Sequence, residues 1–229
     1  MTKEEFANQI RKSAIGFQVG GFRPDESLTA SWFGKVLVGK KGEAWPVSNG
    51  NPMLPICQIN LTEITGIPEN LSDIKFLALF VDSEELPTDE PNGKAWMIRT
   101  YQDIDELIEM EIPTLDSPIK PFPLKAYKID VDYPCLEDCP IEIPNEFEDD
   151  YYELFPNQGG IKIGGWPTLI QSEIFWAPYN RHPAEPEYVF QIYSIEKANW
   201  YWGDSGVVYI GRGTKPNTKD DWTFDWQCY

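Results

Sequence analysis

LPICQINL, residues 54–61, and EYVFQIYSI, residues 187–195, decide how this chain is read. Both are short runs rich in β-branched and aromatic residues, and each carries a central Gln-Ile pair. The same order of signals surrounds them. A Trp-Pro pair stands upstream of each, at 45–46 and within GGWP at 164–167, and a further apolar run follows each after a loop, KFLALFVD at 75–82 and GVVYIGR at 206–212. The recurrence points to a pseudo-duplicated β-rich fold. Chance repetition of short strands with Trp-Pro turns gives the same pattern, so both readings stand at this level.

Most of the remaining chain also reads as strand. WFGKVLVG, IKFLALFVD, KAWMIRT and LKAYKIDVD are bounded by Pro, Gly and Asn, of which the chain has 20 Pro and 17 Gly to punctuate it. Two helices are expected. TKEEFANQIRKSAI, from residue 2, opens with Thr2 and Glu5 spaced as a capping box and places Phe6, Ile10 and Ala14 on one face. YQDIDELIEM, residues 101–110, sets Ile104, Leu107 and Ile108 against an acidic side.

Charge narrows the choice of partner. The 229 residues carry a net charge of −18, yet the aromatic content of 14% is too high for a disordered acidic chain. Residues 82–153 hold twenty-one acidic against five basic side chains, and 130–153 hold ten acidic and no basic ones. Phosphate binding needs a basic patch, so nucleic acid and anionic membrane are not expected partners, and a basic protein is. The N-terminus has no secretory h-region and no run reaches the length of a membrane span, which makes a cytoplasmic location the expectation. The four cysteines are read as reduced thiols.

Four blocks, PICQINL, KIGGWPTLIQ, WYWGDSGVVYIGR and TFDWQCY, resemble in that order the signatures of the YwqG-like family, a bacterial domain of unknown function. The matched blocks run from about Trp45 to Tyr229. One departure is visible: that family usually has an FGG-x-P turn before its first Trp-Pro, and here Phe33 and Gly34 remain without the second Gly and the Pro. The resemblance implies an α+β fold, predominantly antiparallel β, with two similar halves and an N-terminal helix. It implies one domain over 1–229, with halves at about 30–100 and 155–229 joined by an acidic region at about 101–154. It hands over no catalytic residues. Some members are encoded beside polymorphic toxins, which suggests an immunity role.

Few residues invite chemistry. His182, the only histidine, sits in NRHPAEPE, a Pro-rich loop where a surface histidine is the plainer reading. Cys135 and Cys139 lack the second pair that structural zinc needs, and the Asp103/Asp105 and Asp130/Asp132 pairs lack the rest of a calcium loop, so no metal and no cofactor are expected. Asp204 in WGDSG reads as a turn residue, with a ligand pocket lined by Trp200, Trp202 and Asp204 as the alternative. NEFEDDYYELF, residues 145–155, is different. It mixes Glu146, Glu148, Asp149, Asp150 and Glu153 with Phe147, Tyr151 and Tyr152, the composition of an interface in which carboxylates steer a basic partner and rings anchor it. The expected function is therefore non-enzymatic: an immunity protein occluding a cationic toxin, a nuclease fitting best, with a small-molecule or carbohydrate binding domain as the alternative.

Overall fold

The computed structural model describes residues 1–174 and 183–229. A helix α1 (Lys3–Ile10) leads into β1 (Lys12–Val19), β2 (Trp32–Phe33), β3 (Val38–Lys40), β4 (Val47–Ser48), β5 (Asn51–Pro52), β6 (Leu54–Asn60), β7 (Phe76–Val81), β8 (Trp96–Tyr101), β9 (Leu107–Glu109) and β10 (Phe122–Asp132). Two short helices, α2 (Asn145–Glu148) and α3 (Tyr151–Leu154), precede β11 (Ile161–Gly164), β12 (Glu187–Tyr193), β13 (Val207–Arg212) and β14 (Trp222–Gln227). Ten strands form one sheet in the order β14-β13-β12-β11-β1-β10-β2-β6-β7-β8, and every pairing in it is antiparallel. The fold is α+β and dominated by β. The sheet curls until its edges nearly meet, with the Trp96 and Phe224 rings 5.1 Å apart.

The register shows a duplication. Gln58 in β6 pairs with Trp32 of β2 and Ala78 of β7; Gln191 in β12 pairs with Lys162 of β11 and Tyr209 of β13. The residues just before each Gln carry the same irregularity, between Pro55 and Cys57 and between Tyr188 and Phe190. Trp96 and Trp222 open the last strand of each half, paired with Val81 and Arg212. The halves exchange their first strands: β1 lies on β11 and β10 lies on β2, with Gly16 opposite Lys162 as Pro123 is opposite Trp32. Because β1 and β10 also pair with each other, a pseudo-twofold axis passes through the Gln18–Lys125 pair.

The Gln-Ile strands therefore occupy matching places, but the Trp-Pro pairs do not. GGWP follows β11 directly and corresponds to the turn after β2, whereas Trp45-Pro46 leads into the β4–β5 hairpin. The region at 101–154 is not a connector either, since it supplies β10 to the middle of the sheet. At the N-terminus the Thr2–Glu5 capping box forms and Phe6 and Ile10 are buried, yet the helix stops at Ile10 and Ala14 belongs to β1. The helix expected at 101–110 is absent. Asp105 N–H donates to Asp103 Oδ1 in an Asx turn, and Leu107–Glu109 instead pairs with Val38–Lys40, fastened by the Lys40–Glu106 ion pair at 2.8 Å.

The interior of the curl is one apolar cluster drawn from both halves, including Ile15, Phe17, Phe33, Ile59, Leu79, Ile163, Phe190 and Ile210. The outer faces of β6, β7 and β13 are buried as well, beneath irregular loops. Loops in that position have backbone polar groups that water cannot reach, and side chains of the sheet satisfy them. Gln58 donates to the Leu28 and Ala30 carbonyls and accepts from Leu37 N–H; Gln191 donates to the Gly160 carbonyl and accepts from Thr168 N–H. Gln227 accepts from the Ile170 and Gln171 amides and donates to the Ser172 carbonyl. Replacing Gln191 by Met leaves the half-buried Thr168 amide and Gly160 carbonyl unpaired, at a cost toward the lower end of about 1–3 kcal/mol for each stranded group. Urea unfolding of Gln191→Met is expected to show a loss on the order of 2 kcal/mol, against a few tenths for Gln171→Met, whose side chain is exposed.

Candidate functional site

The acidic stretch is held rigidly on the molecule. Phe147, Tyr151 and Phe155 are buried with Phe6 and Ile10 in a satellite cluster that glues α2 and α3 to α1. Ring centroids of Phe6 lie 5.6 Å from Phe147 and 5.0 Å from Phe155, and the Tyr151 hydroxyl donates to the Pro134 carbonyl at 3.2 Å. Phe147 and Tyr151 are thus packing residues, not the surface anchors expected of them. The physical reason is spacing: 147, 151 and 155 fall four apart, so the successive turns of α2 and α3 bring all three to one side, and that side is buried against α1. Glu146, Glu148, Asp149, Asp150 and Glu153 are exposed, and Tyr152 is 51% exposed. Among the described residues no ion pair joins any of these five carboxylates.

Tyr152 links this surface to a cleft. Its hydroxyl accepts from Leu136 N–H at 3.5 Å, beside Glu137, and Glu137 lines a cleft of about 500 Å³ together with Lys12, Asp138, Trp166, Glu173 and Tyr188. The GGWP turn builds one wall. Gly165 has φ +69°, and a Cβ there would overlap Asp132 Oδ2, so glycine is required on both counts. Trp166 donates its indole N–H to the Ile10 carbonyl at 2.7 Å, capping the end of α1, and the Lys12 ammonium sits 3.4 Å from the centre of its ring.

Beneath the cleft lies a fully buried ion pair, Lys162 Nζ to Asp132 Oδ2 at 2.8 Å, both side chains having no exposure. Asp132 also accepts from the Gln158 and Trp166 amides, each at 2.8 Å, so three donors surround one carboxylate. Burial pulls the Lys162 pKa down, and the Asp132 charge pulls it back up. Local sequence carries no signal for this pair, because thirty residues separate the partners. Asp130 does face solvent, paired with Lys128.

Trp200, Trp202 and Asp204 fall outside the cleft. Trp200 and Trp202 are buried in the main core, packed edge to face at 5.1 Å, and do not line the cleft. Asp204 is exposed in a turn, and its carbonyl accepts from Tyr229 N–H at 3.1 Å. The aromatic run therefore packs the core, as the alternation of buried Trp200 and Trp202 with exposed Tyr201 requires. His182 lies outside the described residues. Cys139 lines the cleft, while Cys135 is buried against the Pro167 carbonyl with its thiol pushed up to about 11 by burial. Among the described residues no three His, Cys, Asp or Glu side chains are grouped to hold a metal ion, and no helix is long and apolar enough to cross a membrane.

Against known families, a model described as a domain of unknown function, DUF1963, matches residues 34–228, and the chain belongs to that family. Comparison with curated proteins gives no match. The blocks that carried the resemblance now have structural roles. Gln58 and Gln227 hold loops to the sheet, and Gly165 and Trp166 tie the cleft wall to Asp132 and α1.

Partial burial in the cleft pushes the Asp138 carboxyl up to about 6; Lys12 opposes this, and Glu137 and Glu173 add to it. A carboxyl raised in the folded state binds more protons there than when unfolded, so its contribution to stability is present at low pH and is lost as pH rises from about 4 through about 6. Asp138→Asn removes the carboxylate. Its urea midpoint is expected to exceed that of wild type at pH 8, with the difference vanishing below pH 4.

Proposed function

We propose that this protein is a non-enzymatic binding protein whose partner is a basic protein, most concretely an immunity protein that occludes the cationic active surface of a bacterial toxin. The observation that carries this reading is the set of five exposed carboxylates on α2–α3, without an ion pair among the described residues and fixed in place by the aromatic cluster beneath them. A flexible acidic tail would lose entropy on docking, whereas this surface is already ordered. A nuclease fits best, because its active surface must be basic to hold phosphates. The resemblance to the YwqG-like family, some of whose members are encoded beside polymorphic toxins, supports a cognate toxin as the partner.

Occlusion would run from α2–α3 to the cleft. Glu137, Glu173 and Glu187 line the cleft, and Trp166 and Tyr188 give it aromatic walls, so a partner Lys or Arg side chain finds both charge and rings there. The same cleft supports the second reading, a small-molecule or carbohydrate site, since its volume falls within the usual range for ligand pockets.

The two readings separate on substitution. Neutralising Glu148, Asp149 and Asp150 together to Gln or Asn is expected to slow association with the partner and flatten its salt dependence, because steering fades beyond a Debye length of about 8 Å. Truncation of the exposed Tyr152 to Ala is expected to speed dissociation by about 2 kcal/mol with the fold intact. Tyr151→Ala would instead unfold the satellite cluster. Association as fast as wild type at low salt in the neutralised variant would remove α2–α3 from the interface and favour the small-ligand reading.

A further inference from the structure

The duplication supplies an internal control for the two edges of the sheet. In β8 the outward-facing backbone is covered by its own preceding loop: Ile98 N–H donates to Asn92 Oδ1 at 3.0 Å, Asn92 Nδ2 donates back to the Ile98 carbonyl at 3.4 Å, and Gly93 N–H donates to the Trp96 carbonyl at 2.8 Å. The Asn92 amide thus imitates a neighbouring strand. Phe224 in β14 occupies the position of Ile98, as Trp222 occupies that of Trp96. The ladder alternation that begins with Gly213 N–H to the Asp221 carbonyl points the backbone groups of Trp222 and Phe224 away from β13. Among the described residues nothing pairs with them. The Asn cap has no counterpart here, where Thr218 Oγ1 turns back to the Lys215 carbonyl.

The uncovered edge borders a second cleft, of about 440 Å³, which lies between it and the 89–92 loop. Asp89, Glu90, Asp220 and Asp221 line it, and Thr223 Oγ1 at its wall is buried with no hydrogen-bond partner among the described residues. Arg212, opposite Trp222 on the neighbouring strand, is committed to Asp73 through bonds of 2.7 and 2.9 Å. One edge is blunted by the Asn92 cap, whereas β14, with Trp222 and Phe224 only 7% and 8% exposed, lacks such a cap and opens only into the cleft beside the 89–92 loop, which Trp226 holds through its indole N–H to the Pro87 carbonyl at 2.6 Å.

We infer that β14 is a docking edge for an extended, basic polypeptide segment, which adds a strand beside Trp222–Phe224 and places lysine or arginine side chains among Asp89, Glu90, Asp220 and Asp221. Strand addition supplies backbone hydrogen bonds for affinity, and the acidic rim supplies the choice of sequence. The site shares no residue with α2–α3 and stands independently of the function proposed above.

The probe is an acetylated, amidated octapeptide alternating lysine with threonine or valine, with a glutamate-for-lysine version as control. Amide exchange followed by NMR is expected to show the lysine peptide slowing exchange at Phe224 about tenfold or more, with Ile98 unchanged and the glutamate peptide without effect. Asp89→Asn/Asp220→Asn/Asp221→Asn is expected to weaken lysine-peptide binding about tenfold and flatten its salt dependence. The Glu148/Asp149/Asp150 neutralised variant binds it as wild type does. Absence of lysine-peptide binding, equal binding of the glutamate peptide, or binding without protection at Phe224 would overturn the inference. So would protection at Phe224 that grows with protein concentration alone, which would make the edge a contact between two copies of this chain.

Discussion

The whole arrangement depends on the exchange of first strands about the Gln18–Lys125 pair. Each half begins with a strand that completes the other half's sheet, so neither half can satisfy its own central ladder. Once β1 and β10 are locked together, the remaining strands add outward in the same order on both sides, and the two edges are carried round toward each other. The second requirement follows from the first. A curled sheet buried on both faces must be covered by loops outside, and Gln58, Gln191 and Gln227 are the side chains that make those loops compatible with burial.

Much of the sheet was legible because buried strands write themselves as short β-branched and aromatic runs. LPICQINL, IKFLALFVD, EYVFQIYSI and GVVYIGR all became strands, and the Gln-Ile pairs marked equivalent places in the two halves. What failed was information that lies across the chain. Ala14 continued a helical period on paper, but β1 is needed between β10 and β11, and tertiary pairing overrode the local pattern. Leu107 and Ile108 were likewise drawn into a two-stranded ladder by Val38–Lys40. The edge strand β14 had a signal that could have found it, the strict alternation of Trp222, Phe224 and Trp226.

The candidate site was half legible. Its charge was visible in composition, and the carboxylates at 146, 148, 149, 150 and 153 do face outward. The role of the rings was not, because an aromatic reads the same in an interface as in a core, and only α1 packed beneath them decides the matter. The cleft was invisible for the same reason: Lys12, Asp138, Trp166 and Tyr188 come from four separate parts of the chain. The two halves have diverged around one scaffold. After β2 the outer face is closed by the β3–β9 ladder with Trp45 and Met110, whereas after β11 the GGWP turn leaves an open cleft.

Native-state amide exchange in a Gln58→Leu variant tests the interlocked architecture most directly. If the halves share one cooperative unit through β1 and β10, the slowest amides of β12 and β13 lose protection by the same free energy as those of β6 and β7, although Gln58 touches neither β12 nor β13. Loss confined to β6, β7 and β8, with β12 and β13 exchanging at the wild-type rate, would contradict the account and make the halves two units that unfold separately.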